Sequence, residues 1–369
     1  MRQVKNLNCG WKFIQEDVGL PESFPVQWQD VNLPHTWNAV DGHDGNGSYD
    51  RGSYWYAKTF ATPKQPLKGG KVYLEILAAG QQASVYVNGK KAVYHEGGYS
   101  IFRADITELC RQDGKDNLLA MNCSNEYKDS VYPQSADFTF YGGLYRGVNL
   151  ISVPDTHFDL EYYGGPGVTV TPRPCEDGGA VFELNSYVMN PDENFTVLYS
   201  IKDRDGNEVA GGTRPSYDAS ISLYVPDAKL WDVDDPYLYT VTASIERRNE
   251  TWDEVCVKAG VRSFTCDSNE GFILNGRQLP LRGVSRHQDR LYKGNALTRE
   301  DHYEDAAMIK ELGANTIRLA HYQHSQEFYD ACDDMGFIIW AEIPFISVFN
   351  KDPEAHQNCI SQLKELIIQ

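Results

Sequence analysis

The sequence predicts a multidomain protein: a jelly-roll β-sandwich, then an immunoglobulin-like β-sandwich, then the first three βα units of a (β/α)8 TIM barrel. Two observations predict this order. Residues 1–153 and 154–266 carry short alternating segments separated by Gly-rich or Asn-Gly turns, which is typical of antiparallel strands. In residues 267–369 helical spacing alternates with short apolar runs, as in βα units. We therefore expect three domains with these boundaries.

The first region, residues 1–153, reads as strands throughout. Residues 54–60 and 71–76 alternate aromatic or β-branched residues with polar ones. Residues 83–87 do the same and are followed by Asn88-Gly89, a strong hairpin signal. Helical periodicity is nearly missing, so a jelly-roll sandwich of the kind found in sugar-binding domains is predicted.

The second region, residues 154–266, begins after the turn-prone sequence VPD at 153–155. The predicted strands are 168–171, 180–184, 196–201, 221–225 and 238–243. Asp205-Gly206 predicts a hairpin turn. About 110 residues with short strands at this spacing indicate an immunoglobulin-like sandwich.

The third region, residues 267–369, changes to βα units. The predicted strands are 279–284, 315–319 and 337–341, and the predicted helices begin at Thr298, Ser325 and Pro353. Asp301 follows Thr298 at the spacing of a capping box, and Gly313 and Gly336 end the first two helices. Residues 337–341 are wholly apolar, which predicts a strand buried on both faces. A closed barrel needs roughly 250 residues, so we expect a larger enzyme whose front half this is.

Composition excludes several functions. The net charge is −18 and the pI about 4.9, which argues against nucleic acid and anionic membranes as partners. The eight cysteines are scattered without a CxxC pair, so we expect reduced, structural thiols. The N-terminal sequence lacks the apolar stretch of a signal peptide, and no run is long enough for a membrane helix. These features predict a cytoplasmic protein.

Ionisable residues gather where the predicted barrel strands end. They are Arg286, His287 and Asp289 after the first strand, Arg318 and His321 after the second, and Glu342 after the third. The carboxyl ends of barrel strands share one rim, where active sites lie. Because grouping charges is costly without a purpose, we predict a functional site there. By contrast, the strand-like surroundings of Trp55, Trp231 and Trp340 favour core positions.

Short motifs in a fixed order carry a family resemblance along the whole chain. They are NLPHTW at 32–37, YWY at 54–56, GGLYR at 142–146, LW at 230–231, PYLY at 236–239, GVR at 260–262, FILNG at 272–276, RGVSRH at 282–287, GANTIR at 313–318 and AHY at 320–322. The chain resembles the N-terminal half of a glycoside hydrolase family 2 enzyme, closest to the β-galactosidase branch. One departure is Gln323, where many relatives have proline after His-Tyr.

The resemblance implies retaining hydrolysis by two glutamates, an acid/base and a nucleophile. The family's motifs for both lie beyond the helix that begins near Pro353, so both glutamates are expected after Gln369. No catalytic residue is therefore assigned in this chain, which is expected to be inactive alone. The resemblance places Glu342 in a supporting position beside the substrate.

Substrate-binding roles carry over one residue at a time. His321 matches a histidine that hydrogen-bonds the sugar, and Arg318 can hold carboxylates beside it. Asp137 matches an aspartate that the first domain lends to the sugar pocket and that touches sodium in some relatives. His287 and Asn46, the latter in the Gly-rich loop 41–52, are further substrate-binding candidates.

The predicted activity is cleavage of terminal β-galactosides, with a β-galactoside as the partner and no required cofactor. Sodium or magnesium in a full enzyme and a homo-oligomeric assembly stay open. A β-glucuronidase of the same family is one alternative. A non-catalytic carbohydrate-binding module is another, because jelly-roll sandwiches also serve as lectin domains. The charged barrel rim argues against that module.

Overall fold

The predicted fold class is confirmed: two β-sandwiches precede the first βα units of a barrel. The computed structural model describes residues 1–46, 48–64, 69–133 and 135–369. No helix in these segments is both long and apolar enough to span a membrane. Each of the eight cysteines lies in a described segment and is free, and Cys9, Cys256 and Cys266 are exposed.

The first sandwich is built from β1–β10. Its strands are β1 (Gln3–Asn6), β2 (Trp11–Ile14), β3 (Gln29–Val31), β4 (Ser53–Phe60), β5 (Lys71–Ile76), β6 (Gln82–Val87), β7 (Lys90–Glu96), β8 (Phe102–Asp105), β9 (Asn117–Ser124) and β10 (Val148–Val153). In its described residues they pair antiparallel in the orders β1-β10-β5-β8 and β3-β2-β4-β9-β6-β7. Trp11, Tyr56 and Leu74 are among the residues buried between these sheets. The predicted hairpin is present: Asn88 and Gly89 both have positive φ, as a tight turn requires.

The second sandwich is built from β11–β19. Its strands are β11 (His157–Phe158), β12 (Val168–Pro174), β13 (Ala180–Ser186), β14 (Val188–Met189), β15 (Thr196–Lys202), β16 (Glu208–Pro215), β17 (Ser220–Val225), β18 (Tyr239–Arg247) and β19 (Glu250–Ala259). The facing sheets are β12-β13-β17 and β16-β15-β18-β19. Their inner faces bury Phe182, Tyr199 and Val241. A small β11-β14 ladder lies beside them.

An antiparallel sheet leads into the barrel part. Its strands are β20 (Phe264–Asp267), β21 (Gly271–Leu274) and β22 (Arg277–Gln278), and the barrel part contributes β23 (Gly283–Arg286), α1 (Arg299–Glu311), β24 (Thr316–Leu319), α2 (Gln326–Met335), β25 (Ile338–Ala341) and α3 (Pro353–Ile368). β23, β24 and β25 pair in parallel, in chain order.

The helix signals in the barrel part are confirmed. Thr298 and Asp301 form the predicted capping box at the start of α1. Asp352 caps α3, and Pro353 opens it. Gly336 ends α2 in the left-handed conformation, with φ 77°. Ser325 is the N-cap of α2, but its hydroxyl bonds Glu327 and does not cap the backbone.

Two strand predictions are wrong in detail. The first barrel strand begins at Gly283 and not at residue 279, because Pro280 has no N–H and the Arg282 N–H donates to the side chain of Asn315. Residues 337–341 are not buried on both faces. Trp340 is 68% exposed, so its predicted core position is also wrong. Among the described strands, β25 pairs with β24 alone, and this leaves one edge of β25 unpaired.

Both sandwiches contact the barrel part. Hydrogen bonds join the first sandwich to α3 and to Gln369, the residue after it. His95 Nε2 lies 2.9 Å from Glu365 Oε1, and the side chain of Gln369 bonds the backbone N–H and C=O of Ile101. The second sandwich bonds α2, since the indole of Trp231 donates to the Asp333 carbonyl at 3.0 Å. Trp55 and Trp231 are buried, as predicted.

Candidate functional site

Three side chains meet at the carboxyl ends of β24 and β25, and we name Arg318, His321 and Glu342 the rim group. Arg318 holds Glu342 through two hydrogen bonds, Nε to Oε1 at 2.7 Å and Nη2 to Oε2 at 3.1 Å. His321 Nδ1 lies 2.8 Å from Arg318 Nη2 and 3.2 Å from Glu342 Oε2. The structure therefore brings together three residues that the sequence predicted.

The contacts of His321 determine which ring nitrogen faces outward. A guanidinium can only donate, so Nδ1 of neutral His321 accepts from Arg318 and the ring proton is on Nε2. If the ring gains a second proton, Nδ1–H donates to Glu342 instead. In both states Nε2–H is left free of the rim group and can donate to a hydroxyl.

Glu342 is held in its ionised form. Partial burial raises its pKa, but the hydrogen bonds and the charge of Arg318 oppose this effect, and the pKa lies below its usual value. A general acid needs the opposite, a raised pKa that keeps the proton available. Both carboxylate oxygens are also already bonded. This environment suits a supporting residue rather than the acid/base.

His287 lies beside the rim group with Tyr322 and Phe138. Its ring is 5.2 Å from that of His321, and its Nδ1 is 3.2 Å from the Tyr322 hydroxyl. Phe138, from the first sandwich, packs on His287 and His321 at 5.2 and 5.9 Å between ring centroids. Burial lowers the pKa of His287, although the charges of Asp289 and Asp137 oppose the shift. The first sandwich thus forms one wall of the candidate site.

Of the remaining candidates, Asp137 and Asp289 lie near His287, and Asn46 does not. Asp137 precedes Phe138, is exposed, and is close enough to act on the charge of His287. Asp289 accepts a hydrogen bond from Tyr141 of the first sandwich at 3.1 Å. Asn46 is not brought into this group: it is exposed, and its backbone and side chain both bond Asp44 within its own loop.

Arg286 was expected on the rim and is not there. Its side chain is buried on the opposite face of the sheet, where it bonds Asp305 of α1 and lies 3.9 Å above the Phe328 ring of α2. Successive residues of a strand point to opposite faces. His287 on the site side therefore requires Arg286 on the helix side.

Three aromatic residues at the site were missed from the sequence. Phe138 and Tyr99 belong to the first sandwich, and the ring of Tyr322 packs against both of them and against His287. Tyr322 could have been suspected because it directly follows His321. Phe138 and Tyr99 had no local signal, since they reach the site only through the packing of two domains.

Metal binding needs a cluster of several ligand side chains. Across residues 1–46, 48–64, 69–133 and 135–369, no three His, Cys, Asp or Glu side chains are grouped to hold a metal ion. Asp137 could offer a carboxylate to sodium, but it belongs to no group of three such side chains among the described residues.

Comparison with family models covers nearly the whole chain. Residues 4–154 match the sugar-binding domain of glycosyl hydrolases family 2, and residues 167–262 match the domain described as glycosyl hydrolases family 2. Residues 267–363 match the TIM barrel domain of the same family. The matches follow one another in the order of the structural units described above.

Individual relatives agree with these matches. A crystal structure described as an FMN-binding β-glucuronidase from Facaelibacterium prausnitzii L2-6 is 61% identical, with a TM-score of 0.96 over 100% of this chain and 56% of that chain. A β-glucuronidase of Bacteroides fragilis is 34% identical over 100% of this chain and 54% of its own length. A β-galactosidase of Bacteroides ovatus is 32% identical over 96% of this chain and 42% of its own length.

The chain thus spans about half the length of the relatives it matches. Three consecutive domain matches and relatives that align along the whole chain lead to the same assignment. The chain belongs to glycoside hydrolase family 2.

Proposed function

We propose that this chain is part of a retaining glycoside hydrolase that cleaves terminal β-glycosides, with β-glucuronides as the preferred substrates. The observation that carries the hydrolase proposal is the rim group: Arg318, His321 and Glu342 converge at the barrel end where family 2 enzymes act on sugars. The barrel also disfavours a purely sugar-binding module, which would not need it.

Each rim residue has a chemical task in this proposal. His321 donates its Nε2–H to a sugar hydroxyl and holds the sugar ring in the orientation in which it reacts. Arg318 keeps Glu342 ionised and fixes its orientation. Glu342 in turn holds the guanidinium of Arg318 in place through both carboxylate oxygens. The acid/base and the nucleophile are not assigned to any described residue.

Two observations support glucuronides over galactosides. The structure described as a β-glucuronidase shares 61% identity along the whole chain, against 32% for the B. ovatus β-galactosidase. Further relatives described as β-glucuronidases align at 33 and 34% identity. A carboxylated sugar needs a cation or N–H donors for its carboxylate. Arg318 already forms an ion pair with Glu342, so we propose that the donors for the sugar carboxylate come from other parts of a complete barrel.

A β-galactosidase is the second candidate. Relatives described as β-galactosidases align over 93 and 96% of the chain at 31 and 32% identity. The segments RLAHYQHS at 318–325 and WAEIP at 340–344 also resemble that branch. The two candidates share the rim group and differ in what recognises the substituent on the sugar ring.

We propose that hydrolysis requires no cofactor. Cleavage of an acetal by water changes no oxidation state, so neither a flavin nor a redox metal is needed. A sodium contact at Asp137 and a homo-oligomeric assembly stay proposals. The cytoplasmic location also stays a prediction.

The test compares 4-nitrophenyl β-D-glucuronide with the matching galactoside, on a protein in which this chain continues into a closed barrel. We expect kcat/KM to favour the glucuronide by about 10²-fold or more, because a site built to pair a polar group rejects an analogue that lacks it. Proton NMR of the first product should show the retained β-anomer. A preference for the galactoside would select the second candidate, and absence of both activities would reject the hydrolase proposal.

A further inference from the structure

A buried cluster behind the site surrounds the guanidinium of Arg286. Asp305 accepts from its Nε at 3.0 Å and its Nη2 at 2.5 Å. Two histidines complete the shell: His324 Nδ1 lies 3.1 Å from Nη1, and His302 Nδ1 lies 3.1 Å from Nη2. We name Arg286, Asp305, His302 and His324 the Arg286 cluster.

Arg286 fixes the tautomer of His324. Because the guanidinium can only donate, the Nδ1 of His324 must accept, and its single ring proton is on Nε2. A second proton would be unfavourable, since His324 is 1% exposed and lies close to the charges of Arg286 and Arg146. His324 is therefore a neutral side chain with one donor of defined direction.

That donor is directed at the backbone of the site. His324 Nε2 lies 3.2 Å from the carbonyl oxygen of Ala320, the residue before His321. The N–H of Ala320 donates to the Arg286 carbonyl at 3.1 Å. Ala320 is thus held at both of its peptide groups, one by β23 and one by His324. The Ala320–His321 peptide group sets the direction in which the imidazole of His321 leaves the backbone.

We propose that His324 is a positioning residue for His321, acting through the Ala320 carbonyl, and that Arg286 makes this possible by fixing the His324 tautomer. The inference rests on the proposed function only for its effect on turnover. The link itself is a property of this chain and can be measured without a substrate.

His302 provides a matched control. It accepts from the same guanidinium at the same distance as His324 and is equally buried in the cluster. It lies on α1, however, and its Nδ1 bonds Arg286, whereas the site backbone is bonded by His324. Replacing either histidine by asparagine changes one acceptor of Arg286, but only the replacement of His324 also removes a donor to Ala320.

The experiment uses three variants of residues 1–369: His324→Asn, His324→Gln and His302→Asn. Asparagine can still accept from Arg286 but is too short to reach Ala320, whereas the longer glutamine can donate to it. Nitrogen NMR of 15N-histidine-labelled protein reports whether His321 Nδ1 still accepts from Arg318. Melting temperature reports the fold.

We expect the His321 ring signals to move toward those of a free imidazole in His324→Asn, to stay near wild type in His302→Asn, and to be largely restored in His324→Gln. In a protein with a closed barrel, His324→Asn should lower kcat about 10-fold with KM changed less than about 3-fold, since misplacing a site group by a fraction of an ångström is costly.

Unchanged His321 signals in a folded His324→Asn chain would overturn the proposal. Equal effects of His324→Asn and His302→Asn would do the same, because they would point to the Arg286 cluster as a whole. If His324→Asn does not fold, His324→Gln decides, and altered His321 signals in it would count against the link. A wild-type protein without glycosidase activity would reject the proposed function and leave the NMR result standing.

Discussion

Tyr99 of the first sandwich stacks on Tyr322 at the barrel rim, with ring centroids 4.2 Å apart and planes within 6° of parallel. Arg146 reinforces this contact, because it donates to the Tyr99 carbonyl at 2.7 Å and to the Gln323 carbonyl at 3.0 Å. The segment that carries His321 is thereby attached to the sugar-binding domain. The first sandwich therefore helps to hold the segment that carries His321 in place.

Tyr99→Ala should loosen this attachment. Loss of a buried ring costs about 3 kcal/mol or more, and here the cost falls on the contact between two domains. We expect faster amide hydrogen exchange in residues 316–325. Tyr99→Phe keeps the ring and serves as the control. Equal exchange in the two variants would show that the stack does not hold the segment.

Phe138→Ala tests the wall formed by the first sandwich. Removing this ring frees both site imidazoles to move, so kcat/KM should fall about 10-fold on a protein with a closed barrel. Phe138→Leu retains apolar volume and should lose less. Steady-state kinetics and a melting curve of each variant separate this effect from unfolding. A fall in melting temperature with unchanged kcat/KM would make Phe138 a packing residue only.

The Arg318–Glu342 pair should give a pH-dependent coupling. The pKa of Glu342 is lowered in the folded protein, so its ionised form stabilises the fold above the usual carboxyl pKa of 4.5, and this contribution is lost as the pH falls below that value. A double-mutant cycle with Arg318→Met and Glu342→Gln should show a coupling of at most about 1 kcal/mol at pH 7, because Arg318 is partly exposed. A coupling that does not weaken as the pH falls below 4.5 would contradict this assignment.

His302 should contribute to acid sensitivity. Burial, followed by the charge of Arg286, lowers its pKa to about 3 from the ordinary 6.5. Between these two values the unfolded chain binds a proton that the folded chain does not, so stability falls as the pH drops below 6.5. Each such histidine adds a slope of up to about 1.4 kcal/mol per pH unit. His302→Asn should flatten the dependence of unfolding free energy on pH in this window, and an unchanged slope would show that His302 is protonated in the fold.

Local chemistry in the sequence was enough to predict the elements that local chemistry determines. Asn88-Gly89 forms its hairpin and Thr298 with Asp301 caps α1, because both signals act within a few residues. The strand order of β23–β25 follows from the same βα pattern. Convergence of Arg318, His321 and Glu342 was predictable because parallel strands end at one rim.

Features that depend on distant partners were not predictable in this way. Whether Trp340 is buried depends on what lies beside β25, and its apolar neighbours carry no information on that. Tyr99 and Phe138 join the site through domain packing, across more than 140 residues of chain. The direction of the Arg286 side chain, by contrast, could have been predicted from the sequence, because alternation along a strand places it on the face opposite to that of His287.

Turnover by a His321→Ala variant tests the central claim most directly. If Nε2–H of His321 donates to the sugar and positions it for reaction, kcat/KM should fall by about 10²-fold or more, or about 2.7 kcal/mol, on a protein with a closed barrel. The melting temperature should change little, since His321 lies at the rim. An unchanged kcat/KM with a lowered melting temperature would remove His321 from the site and leave it a packing residue.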